Sequence, residues 1–297
     1  MKLGMAAEHR PPQPCFFVHA PRPDLPGRAA LERLIRRWIM RELSGWLQLR
    51  VLELVDGGQV EWAFDVELPG ALGFEVCPGP RVLAVRCVDE WGPRRPGLWA
   101  ALAVAHALAE LLGGSVIDAF HSAALFGPRR WMRPLADGRV HIIDHLRVPS
   151  SSAGGRCRWL SSLGLAQFGL PDVELVELPP AAVERGARLL LGVAQHLVDS
   201  GLRAPSAGSL PREVMLTVGE LHWALGGELG SRPLSTGRGW TRVALTREQP
   251  GAWPQLLRLG PPAGARRWGD RGAWLRDAWR DLYGSAGGAA PVLRALR

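Results

Sequence analysis

Between Arg28 and Leu43, apolar residues fall at Leu31, Leu34, Ile35, Trp38 and Ile39. This i, i+3, i+4 spacing predicts an amphipathic helix, with Arg33, Arg36, Arg37 and Arg41 towards its other side. From Pro96 to Leu112 nearly every position is apolar. Proline at the first turn and Gly113-Gly114 after the last bound a second helix there. It is too short and too interrupted, by His106 and Glu110, for a membrane span, and reads as a core helix. A third helix runs from Pro180 to Ser200, with Leu189, Leu190, Val193, Leu197 and Val198 as its stripe and Gly201 as its stop. Further helices are expected near Val218 to Leu225 and from Trp268 to Tyr283. The last carries Trp274, Leu275, Ala278, Trp279 and Leu282.

Short β-branched and aromatic runs predict strands at Cys15 to His19, Arg81 to Val88, Val116 to Ala119, Val140 to Val148, Cys157 to Leu165, Val173 to Leu178 and Thr241 to Leu245. Leu47 to Leu54 and Val60 to Leu68 flank Asp56-Gly57, a hairpin signal. Helices and strands interleave without regular β-α alternation. The expected fold class is therefore α+β, with helices packed on mostly antiparallel sheet and a smaller basic C-terminal module. Arg203 to Pro211, rich in Pro, Ser, Gly and Ala, reads as a linker. It divides an α+β core domain, residues 1–202, from an Arg/Trp-rich module, residues 203–297, with a flexible tail at 284–297.

Charge sharpens that division. The 297 residues include Lys+Arg 36 and Asp+Glu 28, a formal net charge of +8. Residues 1–202 hold 22 basic and 21 acidic side chains, whereas residues 203–297 hold 14 and 7. Lys2 is the only lysine. A P-loop lysine, a kinase-type strand lysine and a Schiff-base lysine are thereby excluded from the body of the chain. Guanidinium groups stay protonated and do not act as general bases at neutral pH. A hydrophobic content of 47% supports a sizeable core, while 36 Gly and 25 Pro predict many turns. Residues 1–14 show no apolar run of a secretory signal. None of Cys15, Cys77, Cys87 and Cys157 falls in a Cys-x-x-Cys spacing. The expected setting is a bacterial cytoplasm, with the cysteines as buried small hydrophobes.

Candidate chemistry is sparse. His121, His141, Asp144 and His145, with Asp118 upstream, form the densest donor group. On a strand, His141 and His145 stand about 13 Å apart. They read as polar partners on a sheet, and no metal is expected. Cys157 lies between Arg156 and Arg158, whose charges favour a thiolate, yet strand alternation turns neighbours away and no Cys-His signature accompanies it. Gly237-Arg238-Gly239-Trp240 reads as a turn before a strand rather than an anion nest. No catalytic residue and no cofactor is expected.

The candidate partner-binding residues lie in the basic third: Arg238, Trp240, Arg266, Arg267, Trp268, Arg271, Arg276 and Arg280. Val292, Leu293 and Leu296 follow in the tail and suit docking as a short helix. Arginine and tryptophan are favoured anchors of protein interfaces. Arginine with exposed aromatics also suits phosphate contact and base stacking. Against both stands a plainer reading: Trp274 and Trp279 fall on a helix's apolar stripe, and the arginines form a solvated face.

Leu108 to Asp118 reads as a helix ending in Gly-Gly and a short strand ending in Asp. Gly164 to Leu175 follows with Gly-Leu-x-x-Phe-Gly-x-Pro-Asp-x-Glu. Together they resemble an uncharacterised bacterial domain of unknown function over about residues 81–201. The resemblance implies a non-enzymatic cytosolic accessory protein and brings no catalytic residues. The expected function is a non-catalytic interaction protein: a scaffold, adaptor or immunity-type subunit of a bacterial multi-protein assembly, with partner proteins that carry acidic surfaces. The alternative is a nucleic-acid-binding accessory protein that uses the basic module.

Overall fold

Helix α1 (Arg28–Glu42) buries Leu31, Ile35, Trp38 and Ile39, the stripe expected from the sequence. It belongs to a computed structural model that describes residues 14–20, 27–63, 81–89, 94–118, 123–125, 138–152, 157–200, 211–227, 236–248, 256–263 and 270–284. The chain divides into two compact units. One holds Met1–Val140 with Gln167–Gly169, the other His141–Ala166 with Leu170–Arg297.

In the first unit, β1 (Cys15–Ala20), β2 (Val60–Ala63), β3 (Arg81–Cys87), β4 (Ser115–Asp118) and β5 (Ala123–Leu125) pair antiparallel in the order β2-β3-β1-β4-β5. Helix α2 (Gly45–Asp56) follows α1, and α3 (Pro96–Leu112) packs on the sheet and against both. Fifteen of its seventeen residues are buried. A helix covered on all sides must be apolar all round, which explains why α3 carries no polar face. Gly97 lets α3 begin against the chain at Val88-Asp89, where the Gly97 N–H donates to Asp89 Oδ1 at 2.7 Å. A Cβ at Gly97 would lie 2.8 Å from the Asp89 Cα.

The hairpin expected at 47–68 is not formed. Leu47 to Leu54 lies within α2, and Gly57-Gly58 ends that helix before β2. Leu47, Val51 and Leu54 are buried at i, i+4 and i+7, while Leu49 is exposed on the far side. The apolar spacing fits both periods, and packing against α3 selects the helix.

In the second unit, β6 (Ser150–Ser152), β7 (Arg158–Ser161), β8 (Asp172–Leu178), β9 (Glu213–Thr217), β10 (Trp240–Glu248) and β11 (Leu256–Gly260) form one sheet in the order β6-β7-β8-β11-β10-β9. Every pairing is antiparallel except β8 with β11. Helices α4 (Val183–Asp199), α5 (Val218–Ala224) and α6 (Arg271–Tyr283) complete the unit. The fold is α+β with mostly antiparallel sheets. The division expected after Leu202 is not the one the chain makes: β8 precedes that point and β11, which pairs with it, follows. Residues 203–297 therefore supply three strands of a shared sheet. The linker expected at 203–211 falls outside the described residues except for Pro211.

The strand expected at 140–148 is a loop with one 3-10 turn at Ile142–Asp144 and a single bridge between Arg147 and Leu163. Side-chain and ring contacts hold it. The Ile142 N–H donates to Gln195 Oε1 at 2.8 Å, and His141 Nδ1 lies 2.9 Å from the Trp223 carbonyl oxygen.

Candidate functional site

The second sheet has two unlike faces. Val173, Leu175, Val214, Leu216, Thr241, Val243, Leu245, Leu257 and Leu259 are buried on one. Helix α4 approaches this face through glycine: a Cβ on Gly186 would meet the Leu178, Leu160 and Leu175 methyls, and one on Gly192 those of Leu221 and Leu216. The alternate positions form the other face. Cross-strand register places Ser161, Glu174, Arg258 and Thr246 in one row across β7, β8, β11 and β10. Arg242 stands opposite Met215 and Trp240 opposite Thr217 at the β10–β9 end. Trp159 lies on the same face of β7.

Three large apolar side chains on this face are open to solvent: Trp159 at 39%, Met215 at 54% and Trp240 at 37% exposure. Arginines lie among them. Arg242 Nη1 is 3.4 Å from Glu213 Oε1, so its charge is shared with an acid on the neighbouring strand. Arg258 is half-buried; its Nε donates to Oε1 of the buried Glu174 at 3.0 Å, and its Nη2 lies 2.9 Å from the same oxygen. Period-2 alternation in Glu213 to Thr217 and in Trp240 to Thr246 carries the signal for this face. Trp240 is legible in the sequence, whereas Trp159, Met215 and Arg242 are not, because the face they share is set by the register between strands.

The expected partner-binding residues disperse. Arg266, Arg267, Trp268, Val292, Leu293 and Leu296 lie outside the described residues. Arg271 turns inward, with Nη1 3.4 Å from the Leu259 carbonyl oxygen. Arg276 and Arg280 are exposed on α6, facing Asp270 at 4.0 Å and Asp277 at 3.1 Å. Arg238 Nε lies 3.9 Å from Asp281 Oδ1. Three arginines thus face three aspartates around α6, and Arg271, on a carbonyl, is the one positive charge in excess among the described residues. Trp274 and Trp279 are buried. Helix α1 is the more basic element: Arg33 and Arg37 are exposed with no ion-pair partner among the described residues. The near-neutral sum over residues 1–202 conceals this local excess.

The histidine group does not assemble. His141 packs its ring 3.9 Å from that of Trp223, and His145 is buried. His121 lies outside the described residues. Among the described residues no cluster of three His, Cys, Asp or Glu side chains is arranged to hold a metal. Cys157 is exposed and Cys87 buried. Burial pushes the Cys87 thiol up to about 12, with Asp89 and Glu61 adding to the rise.

The Gly-Leu-x-x-Phe-Gly-x-Pro-Asp-x-Glu stretch is a structural device. Asp172 Oδ1 accepts from Ser162 Oγ at 2.8 Å and from the Leu165 N–H at 3.1 Å, pinning the turn before β8. Burial raises the Asp172 carboxyl above its ordinary value, against the pull of Ser162, Leu165 and Gly164. Leu165 is buried, and the Phe168 ring faces the buried Arg95 guanidinium at 5.4 Å.

A cavity of about 550 Å³ is lined by Arg36, Asp56, Trp62, Glu61 and Arg86 among others. Arg36–Asp56 at 2.6 Å and Arg86–Glu61 at 3.7 Å compensate each other's charge there. No family model, no curated protein and no solved structure matches this chain. Among the described residues no helix is long and apolar enough to cross a membrane.

Proposed function

We propose that the protein is a non-catalytic scaffold, adaptor or immunity-type subunit of a bacterial multi-protein assembly. It docks a partner protein on the open face of the second sheet. One observation carries this reading: Trp159, Met215 and Trp240 are exposed on a single face with Arg242 and Arg258 between them. Tryptophan, methionine and arginine are the side chains enriched at interface cores. The arginines favour a partner with acidic groups at its rim. The same residues offer stacking and phosphate contact to a nucleic acid, but the arginines of α6 are largely neutralised by aspartate.

Co-purification with the products of neighbouring genes tests the reading. A double change, Trp240→Ala with Arg242→Glu, is expected to weaken the complex by about 100-fold while the thermal midpoint stays near wild type. Arg33→Glu on α1 is expected to leave the complex intact. Unchanged affinity of the double variant would sink the assignment of this face. Binding to DNA or RNA that falls steeply with salt, and is lost with Trp240, would replace a protein partner with a nucleic acid.

A further inference from the structure

Strand β9 ends its sheet among the described residues. Its pairing with β10 fixes which backbone groups point inward. The Leu245 N–H donates to the Arg212 carbonyl at 2.8 Å, and the Val218 N–H to the Gly239 carbonyl at 2.9 Å. Antiparallel alternation therefore turns residues 212, 214, 216 and 218 towards β10, and Glu213, Met215 and Thr217 outward. The outward Thr217 N–H is satisfied within the chain. It donates to Glu220 Oε2 at 2.8 Å, closing the capping box of α5. Glu213 and Met215 are left with outward N–H and C=O groups that no described residue meets.

We infer that β9 pairs antiparallel with β9 of a second copy of this chain, about a two-fold axis at Met215. In that register each Met215 N–H donates to the Met215 carbonyl of the other copy, the reciprocal pair of an antiparallel ladder. Glu213 stands opposite Thr217, whose N–H is already held by Glu220, so the Met215 pair supplies the reciprocal hydrogen bonds of the seam, and no like charges face each other. Val214 stands opposite Leu216, which continues the buried layer of one sheet into the next. The strand has neither proline nor lysine, and its register with β10 has no bulge, so three of the devices that blunt an edge are missing among the described residues. Its one charge, on Glu213, is engaged by Arg242. Self-complementarity about a single residue is what a closed two-fold interface requires, and it selects a second copy over a foreign strand. The joined sheet would have twelve strands and would bring two Trp240/Met215/Arg242 faces side by side. The pairing needs no other partner, so it is tested separately from the proposed function.

Light scattering on the purified full-length chain across a concentration series is expected to show a dimer. Met215→Pro removes the reciprocal donors at a position where an edge strand tolerates proline. It is expected to raise the dissociation constant about thirtyfold, as the loss of two hydrogen bonds implies, with an unchanged circular dichroism spectrum. Met215→Cys provides a readout that survives if the proline variant fails to fold. Hydrogen-bonded partners have Cα atoms about 5.5 Å apart, within disulfide reach. Mild oxidation is expected to give a 215–215 link between chains, located by mass spectrometry because Cys157 is also exposed. Leu163→Cys, also exposed, is expected to give none. A monomer at every concentration, or a dimer without the 215–215 link, overturns the inference.

Discussion

His106 sits inside α3 with its ring stacked on Trp38, centroids 6.1 Å apart and planes within 4°. Its Nε2 is buried without a hydrogen-bond partner. Burial lowers its pKa to about 4 from the ordinary 6.5. Between those values the unfolded chain takes up a proton that the folded chain refuses. The stability contributed by this residue is thus fully present above about pH 6.5 and is lost as pH falls towards 4. Between pH 7 and pH 5 the loss is about 2 kcal/mol. His106→Leu fills a similar space without the buried nitrogen and is expected to remove that part of the acid sensitivity. Urea midpoints of both proteins at pH 7 and pH 5 measure it, and parallel shifts would refute the assignment. Glu220 works in the same direction at lower pH. Its carboxylate is raised by burial, but hydrogen bonds from His196 and Thr217 outweigh this and hold it below its ordinary value. Its contribution is present above the ordinary carboxylate range and is lost as pH falls through the depressed value.

At the scale of elements, two glycines make opposite demands. Gly97 opens α3 where any Cβ meets the Asp89 backbone at 2.8 Å, which is not free to move. Gly219, in the first turn of α5, has only Thr217 Oγ1 near its Cβ position, at 3.9 Å. Gly97→Ala is therefore expected to cost about 2–3 kcal/mol, and Gly219→Ala to gain about 0.5–1 kcal/mol through helix propensity and the unfolded state. Thermal midpoints falling for the first and rising for the second would bear this out. Elements with one strong period were legible in the sequence: α1, α3 and α4, with β1, β3, β8 and β10. Those read wrongly share a cause. Leu47 to Leu54 satisfies periods 2 and 3.6 together, and only the presence of α3 decides between them. Val140 to Val148 has strand composition but is held by Gln195 and Trp223, which are distant in sequence. Strands β9 and β11 went unread because each has five residues and depends on neighbours for its existence. Of the candidate site, Trp240 was legible as a residue. The face it belongs to was not, because a face is a property of register between strands.

At the scale of the molecule, the parallel pair β8–β11 binds residues 172–174 to residues 256–258. A chain ending at Leu202 would lack β9, β10 and β11, and would leave β8 as an edge strand paired with β7 alone. It is expected to lose the whole second unit rather than a detachable module. Hydrogen exchange in Val173, Glu174 and Leu175 is expected to approach that of unfolded chain, and protection there equal to wild type would contradict the shared sheet. The first unit raises a different matter during synthesis. Helix α3 packs chiefly against β1, α1, α2 and β3, all of which precede it in the chain, with β4 following. Most of its cover is therefore already synthesised when α3 leaves the ribosome, and the edge of β1 that receives β4 is what still waits. A segment with no polar side must leave water as soon as it forms, and the order of the chain supplies its shelter in advance.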